Sequence, residues 1–154
     1  MRRKEREVTD IKKIEEIIGK AMICRLGLSL DDQPYIVPLN FGYKNRELHF
    51  HCAKRGMKTD IIEKNNHVCF EIETDTELIK GEHACTGWKM KYKTVIGFGK
   101  AFLVDDDSEK IKSLNMIMEH YSGKPESVFT EKNVRSVRVI KVVIESMSGK
   151  VNDL

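Results

Sequence analysis

Long apolar stretches are missing from this 154-residue chain. No run is long enough to cross a bilayer, so we expect no membrane-spanning helix. The charged start, residues 1–6, is followed by no apolar stretch, and it therefore predicts no secretory signal. The net charge is only +3, with Lys and Glu mixed along the chain, which argues against the basic face of a nucleic-acid-binding protein. We expect a cytoplasmic protein whose partners include neither a membrane nor a nucleic acid.

Cysteine pairs are also absent. The four cysteines are dispersed and form no Cys-x-x-Cys motif, which indicates free thiols in a reducing compartment. Zinc could be held by Cys52 with His49 and His51, but their spacing matches no common structural zinc pattern. The sequence therefore predicts no metal site.

The composition is that of an ordinary globular protein, with 40% apolar and 33% charged residues. No internal repeat and no linker interrupts the chain, so a single domain over residues 1–154 is predicted. The apolar periodicity predicts helices at residues 9–21, 57–64 and 105–121. It predicts strands at residues 22–29, 35–41, 47–51, 67–73, 88–104 and 137–145. Residues 74–87 are expected to form a loop or irregular edge, and residues 146–154 a polar tail.

The order of these elements favours a mainly β (α+β) fold. About six strands with few helices between them indicate an antiparallel sheet, and a small closed barrel with peripheral helices fits best. Gly97 and Gly99 lie on one face of the longest strand, where they allow a bend or a close backbone approach. No phosphate-binding helix follows this glycine pair at once, which argues against a Rossmann dinucleotide site. Two helices are expected to bury apolar stripes, formed by Met57, Ile61 and Ile62 in one and by Ile111, Leu114, Ile117, Met118 and Tyr121 in the other.

The most informative segment is residues 51–58 (HCAKRGMK), which leaves a strand and enters a helix. Lys54, Arg55 and Lys58 gather at the start of that helix, where cations oppose the helix dipole. A bound anion such as a phosphate would remove the conflict, and Gly56 would let the backbone approach it closely. A solvated basic turn without a ligand explains the same residues. The residues alone leave both interpretations open.

Several other residues could line a site. Pro38 interrupts an apolar run and predicts an edge strand or the rim of a barrel, with Asn40 as its polar neighbour. His51 could exchange a proton near neutral pH, although a histidine at a strand end is more often scaffold. Trp88 and Tyr92 could stack on a flat ring, although aromatic residues in strands usually belong to the core.

Four ordered segments resemble the nitroimidazole-resistance (Nim) group of flavoproteins, within the pyridoxamine phosphate oxidase-like superfamily. The resemblance covers nearly the whole chain. The segments are residues 1–10 (MRRKEREVTD), 34–43 (PYIVPLNFGY), 50–53 (FHCA) with Gly56 and Lys58, and 92–101 (YKTVIGFGKA).

This resemblance implies an antiparallel split β-barrel that forms a homodimer, with FMN at the subunit interface and two equivalent sites. It implies that Lys58 holds the phosphate, helped by Arg55 or Lys54, and that His51 is the catalytic or substrate-side residue near the flavin. The other implied FMN neighbours are Val37, Pro38, Leu39 and Asn40 at the ring edge, Cys52 and Ala53 at the ribityl chain or ring, and Trp88 and Tyr92, the last two from the partner chain.

The chain departs from the superfamily at specific positions. Gly56-Met57-Lys58 stands where the superfamily often has Ser-Arg-Lys, and Cys52 where the Nim group more often has serine. The substrate residues of the pyridoxamine phosphate oxidases are not recognisable near the C-terminus, so vitamin synthesis is not expected. The implied function is an FMN-dependent oxidoreductase that reduces small acceptors such as nitro-aromatics. The alternatives are a non-catalytic flavin- or haem-binding module on the same barrel and a scaffold without a cofactor.

Overall fold

Strands dominate the computed structural model, which describes residues 3–126 and 128–153. Residues 1 and 2 of the first Nim-like segment and residue 154 of the predicted tail lie outside this range. A single 3-10 turn, Lys4–Arg6, precedes the regular elements. The helices are α1 (Ile11–Lys20), α2 (Met57–Lys64), α3 (Ala84–Gly87), α4 (Asp107–Ser122) and α5 (Glu131–Ser136). The strands are β1 (Glu7–Val8), β2 (Cys24–Leu30), β3 (Gln33–Leu39), β4 (Gly42–Lys44), β5 (Glu47–Cys52), β6 (His67–Ile79), β7 (Lys89–Val104) and β8 (Arg138–Asn152).

All strand pairs are antiparallel, and the order across the sheet is β3-β2-β6-β7-β8-β5-β4, with β1 on the free part of β8. The mainly β split-barrel prediction is confirmed, with eight strands rather than six. The expectation of a closed barrel is wrong, because β3 and β4 form the two edges of the sheet and are not paired with each other. Only Asn40 and Phe41 separate these two edges along the chain. The sheet therefore curls so that the end of β3 and the start of β4 lie close together. The gap between these two edge strands is called the split below.

Local chemistry explains where the elements begin and turn. The Asp10 carboxylate caps α1 by accepting a hydrogen bond from the Lys12 amide at 3.0 Å, as N-cap residues do. Asp31 and Asp32 both have positive φ at the β2–β3 turn, as Asp tolerates. Gly123 ends α4 in the left-handed conformation, with φ of 74°.

Glycines let the layers of the barrel approach closely at the centre of β7. A Cβ atom on Gly97 would overlap the Phe70 ring, and one on Gly99 would overlap the carbonyl oxygen of Val143. A β-bulge in the β7–β8 pairing falls between Phe98 and Gly99. The predicted close backbone approach is therefore confirmed.

The core lies inside the curled sheet, beneath α1 and α2. Its largest fully buried side chains include Phe41, Phe50 and Phe70. Ile61 and Ile62 of α2 are buried as expected, but Met57 is 62% exposed because it lies at the open start of the helix. In α4, Ile117 is buried while Ile111 is exposed, and Lys110 and Ser113 are buried instead. The apolar stripe predicted for α4 is thus only partly correct, since a polar side of the helix faces the sheet.

Two segments are more regular than expected. Residues 74–87 were expected to be a loop, but β6 continues to Ile79 and α3 follows it. The polar tail is wrong as well, because β8 continues to Asn152 and pairs with β7 and β1. Beyond Glu73 and before Tyr92, β6 and β7 pair only with each other among the described strands. This two-stranded extension, residues 74–91, is called the arm below.

Among the described residues, no helix combines the length and the apolar character that crossing a membrane requires.

Candidate functional site

The basic turn connects β5 to α2 at one end of the barrel. Gly56 is the N-cap of α2, with φ of 150°, and provides no side-chain cap to the helix. Glycine is needed there because other residues rarely adopt this conformation. The first N–H groups of a helix often have no intrahelical acceptor. Here the Thr59 N–H donates to the Gly56 carbonyl at 3.0 Å. The N–H groups of Met57 and Lys58 have no acceptor in the described part of the chain and follow a turn exposed from Ala53 to Met57. The turn therefore offers backbone donors to an anion.

Three cations surround these donors. Lys54 and Arg55 are exposed, and Lys58, the second residue of α2, is half-buried. The Lys58 charge is close enough to act on the thiol of Cys52, the buried last residue of β5. The structure thus brings together Lys58, Cys52 and the glycine-capped helix start.

Cys52 itself is unsuited to nucleophilic chemistry. Burial raises the pKa of its thiol, and the charges of Lys58 and Arg138 lower that pKa without cancelling the effect. A thiol with a raised pKa stays protonated at neutral pH, and the thiolate is the reactive form. Cys52 therefore packs at the base of the turn.

His51 lies on the outer face at the end of β5 and is exposed. It pairs in register with Val139, while the next residue, Cys52, faces the core. Within residues 3–126 and 128–153, its imidazole has no hydrogen-bond partner. A free, exposed ring beside the basic turn can contact a ligand or exchange a proton with it.

The segment from Val37 to Asn40 forms the edge of the sheet. Pro38 and Asn40 are exposed, while Val37 and Leu39 pack on the core. Because β3 pairs only with β2 in the described sheet, its other side carries free backbone groups. The edge position predicted from Pro38 is confirmed.

The short connection between the two edges brings this segment toward His51. Gly42 of β4 pairs with His49 of β5 in antiparallel register. The described pairing ends there, and residues 40–41 alone link the free edge of β3 to the β4–β5 hairpin, whose second strand ends at His51 and Cys52 beside the basic turn.

Trp88 and Tyr92 lie far from this place within one chain. His51 is in register with Val139, which pairs with Val104 at the end of β7. Tyr92 lies at the opposite end of β7, roughly 40 Å away along the strand at about 3.3 Å per residue. Both aromatic rings have local partners. The Trp88 Nε1–H donates to the Gly81 carbonyl at 3.1 Å, and the Lys150 Nζ lies 5.0 Å from the Tyr92 ring centre.

Arg138 is a residue of this region that the sequence analysis did not identify. It pairs in register with Cys52, and its guanidinium donates to Asp105 and Glu63. These partners are 33 and 75 residues away, so no local pattern could reveal them. The only sequence feature that could have pointed to Arg138 is its place at the start of the strand predicted at residues 137–145, in which apolar and polar residues alternate.

His49, two residues before His51, is buried beneath α4 and belongs to a different environment. The Ser113 hydroxyl donates to the Glu109 carbonyl at 3.0 Å, so its oxygen accepts from the His49 Nδ1–H, also at 3.0 Å. The Nε2 atom has no hydrogen-bond partner in the described part of the chain, although the nearest Glu47 oxygen is 3.5 Å away. Burial lowers the pKa of His49, Glu47 opposes this shift, and Lys141 reinforces it. His49 therefore stays neutral and joins α4 to the sheet.

We expect this histidine to make the fold acid-sensitive. The folded-state pKa lies below the unfolded value of about 6.5, so the unfolded chain binds more protons at mildly acidic pH. The free energy of unfolding should therefore fall as the pH drops below about 6.5, by at most about 1.4 kcal/mol per pH unit. Urea unfolding between pH 7.5 and 5.5 measures this slope. His49→Gln should flatten it, and His51→Gln, which alters an exposed ring, should not. Equal slopes in all three proteins would contradict the assignment.

Comparison with known proteins agrees with this architecture. The family model of the pyridoxamine 5′-phosphate oxidases matches residues 10–151. A crystal structure of a candidate 5-nitroimidazole antibiotic resistance protein from Bacteroides thetaiotaomicron is 34% identical and superposes with a TM-score of 0.82. The similarity covers 94% of this chain and 86% of that one, which confirms the resemblance to the nitroimidazole-resistance group.

More distant structures share the fold alone. A flavocytochrome from Azotobacter vinelandii is 16% identical with a TM-score of 0.83, over all of this chain and 72% of its own. An FAD- and haem-binding protein from Mycobacterium smegmatis is 13% identical with the same TM-score, over 97% of this chain and 74% of its own. Among the curated proteins compared by sequence, none matches the chain. The family match over residues 10–151 and the 34% identity across nearly the whole chain show that the protein belongs to the pyridoxamine 5′-phosphate oxidase family.

Proposed function

We propose that the protein is a flavoprotein that binds FMN at the split of the barrel and reduces small acceptors such as nitro-aromatics in the cytoplasm. The observation that carries the proposal is the basic, glycine-capped start of α2, in a sheet whose strand β3 has an unpaired edge. Flavin-binding proteins share the fold, and a relative of the nitroimidazole-resistance type shares a third of the sequence.

The residues present suit the two ends of FMN. A phosphate would neutralise the cations at the start of α2 and accept from its free N–H groups, with Lys58 as the charged donor. Gly56 leaves open space beside the backbone, because a Cβ atom built there has no neighbour within 4 Å. The free backbone groups of Val37 to Asn40 would contact the polar edge of the ring.

A second copy of the chain would complete the site. Apolar side chains on the outer face form a patch defined by Ile36, Ile96, Phe98 and Phe102, which are 44–68% exposed. Register places Ile36, Gly27, Cys69 and Phe98 in one row across four strands, along a groove of about 440 Å³. Contiguous apolar patches of this kind mark interaction surfaces. We propose that this outer patch is the homodimer interface.

Trp88 lies just before β7, too far from the basic turn and His51 of its own chain to reach them. A two-fold axis near the middle of this patch would bring the partner's Trp88 close to them instead. Such an axis, passing close to Gly97, reverses β7 onto itself, so that positions 88–92 of one subunit lie near positions 102–106 of the other. The partner's Trp88 would then approach the end of β7 that is next to His51. The arm would gain support too, because an isolated two-stranded extension is marginally stable in water and this one exposes Leu78 and Met90.

FMN, when bound, supplies the redox chemistry by accepting and donating electrons. The protein binds the phosphate through the α2 turn, orients the ring along the β3 edge and limits access through the second subunit. His51 lies where its exposed imidazole can hold an acceptor or deliver a proton to it.

The test begins with the absorbance spectrum of the purified protein, which separates a flavin from a haem. Anaerobic FMN titration follows, and then turnover with a chemical reductant and a nitro-aromatic acceptor, compared with free FMN at the same concentration. Tight FMN binding with turnover above the free cofactor supports an oxidoreductase. Binding without turnover supports a flavin store or sensor. A haem spectrum, or no binding of either group, would refute the proposal.

His51→Ala should keep the fold and the FMN affinity but slow turnover. The expected loss is roughly a hundredfold in kcat/KM, the lower end of the contribution of one positioned proton donor. Steady-state kinetics with the nitro-aromatic acceptor, alongside FMN titration, measure the two effects separately. His51→Gln keeps a hydrogen-bond donor without a titrating group. Recovery in this variant would limit His51 to acceptor binding, and parent-like rates in both variants would show that it is scaffold.

A further inference from the structure

Arg138 joins three parts of the molecule at the base of the basic turn. Its Nε and Nη2 atoms donate to the two carboxylate oxygens of Asp105, at 2.9 and 3.0 Å. Its Nη1 atom donates to Glu63 Oε1 at 2.9 Å. The arginine begins β8, Asp105 lies between β7 and α4, and Glu63 belongs to α2. One guanidinium thus connects α2 and the β7–α4 corner to the central sheet.

The geometry indicates that Arg138 fixes the position of its partners and does not act only as an exposed positive charge. A paired arginine–carboxylate contact fixes direction as well as distance, because both groups are planar. The Arg138 side chain is only 20% exposed, although both carboxylates are more than half exposed. The two acidic partners also outnumber the one positive charge, which leaves Arg138 less suited to attract a phosphate.

Within the turn, the hydroxyl of buried Thr59 donates to the Gly56 carbonyl at 2.7 Å, which closes the helix start without tying it to the sheet. The turn has few other contacts. Its residues from Ala53 to Met57 are exposed, and α2 has no side-chain cap. The helix is anchored by buried Ile61 and Ile62 and, at its far end, by the Asn65 amide, which donates to the Ser29 carbonyl at 2.9 Å. Glu63 is the only described α2 residue whose side chain forms an ion pair with the sheet. Its negative charge near the helix C-terminus opposes the dipole, and Arg138 compensates for it.

We propose that Arg138 is a positioning residue for the phosphate site: through Glu63 it holds α2, and with it Lys58, at the place relative to β5 that a phosphate requires. The inference rests on the proposed FMN site. Because Arg138 pairs in register with Cys52, the anchor lies directly at the strand end from which the turn departs.

Glu63→Gln tests this role, because the proposal predicts weaker FMN binding and the alternatives predict stronger FMN binding. Removing a negative charge near a phosphate site would by itself strengthen FMN binding, and it would free Arg138 if that residue were a direct phosphate ligand. Loss of the anchor instead predicts weaker FMN binding, by about three- to tenfold, with riboflavin binding unchanged. Arg138→Lys, which keeps the charge without the paired contacts, should resemble Glu63→Gln. The matched control is Glu131→Gln, which removes an exposed ion pair with Arg135 on α5.

A second measurement separates positioning from general stability. In the Lys58→Ala background, Glu63→Gln should cause a smaller loss of FMN affinity than in the parent, because the charged group that it positions is gone and only the N–H groups of α2 remain to be displaced. Tighter or unchanged FMN binding by Glu63→Gln would overturn the role of Arg138 while leaving the FMN site intact. Equal losses of affinity for FMN and riboflavin would also overturn the role of Arg138, since they would show that the ion pair only supports the fold. A parent protein that binds FMN no better than riboflavin would overturn both proposals.

Discussion

Lys58→Ala should weaken FMN binding roughly ten- to hundredfold, corresponding to the loss of a charge-assisted contact of about 1.5–3 kcal/mol. Lys58 is half-buried in the first turn of α2, where a cation is unfavourable unless an anion is bound. Riboflavin lacks the phosphate, so its binding should hardly change. The apoprotein should be no less stable, because the substitution removes a cation from the positive end of the helix. Paired titrations of parent and variant with FMN and riboflavin measure the effect.

The same helix offers a matched control. Lys64 is exposed in the last turn of α2, where a cation is favourable and lies far from the turn. Lys64→Ala should therefore leave FMN affinity unchanged and lower stability slightly. Equal losses for FMN and riboflavin in Lys58→Ala would mean that the lysine acts through folding or the ring pocket. No loss for either ligand would make it a solvated surface residue.

Local chemistry was sufficient to predict most elements around this turn. Residues 57–64 were predicted as a helix with its observed bounds, since Ile61 and Ile62 repeat with the helical period and Asn65 follows. Residues 89–104 form a strand as expected, and Gly97 and Gly99 permit the close approach that the pattern suggested. Gly56 was identified because it lets the backbone approach an anion, which the cations at this helix start favour on electrostatic grounds.

The sequence could not show which strands and side chains come together when they are far apart along the chain. Residues 146–152 were predicted as a polar tail because they hold only two apolar side chains that pack on the core, Met147 and Val151, and their strand depends on pairing with the distant β7 and β1. The contacts of Arg138 cross 33 and 75 residues, and the placement of the two edge strands depends on the curl of the whole sheet. The buried His49 was missed as a structural group because Ser113, its partner, lies on a helix 64 residues later.

Phe98→Asp should convert the proposed dimer into a monomer. Phe98 is 56% exposed at the centre of the outer patch, and a two-fold interface repeats each of its contacts. Burying one Phe side chain contributes about 1.5–3 kcal/mol, so losing both copies should raise the dimer dissociation constant roughly 10²- to 10⁴-fold. The two new carboxylates would also be brought together, which weakens association further. Light scattering over a dilution series measures the change.

FMN binding should fall together with dimerisation, although Phe98 lies away from the basic turn. The reason is that the proposed site needs the partner subunit's Trp88, which only the symmetric pairing supplies. Ile11→Asp is the control, since it places the same charge at a 40% exposed isoleucine on α1, outside the outer patch. It should remain dimeric and bind FMN normally. A parent that is monomeric at micromolar concentration with FMN present would contradict the dimer. A monomeric Phe98→Asp variant with parental FMN affinity would show instead that one chain builds the whole site.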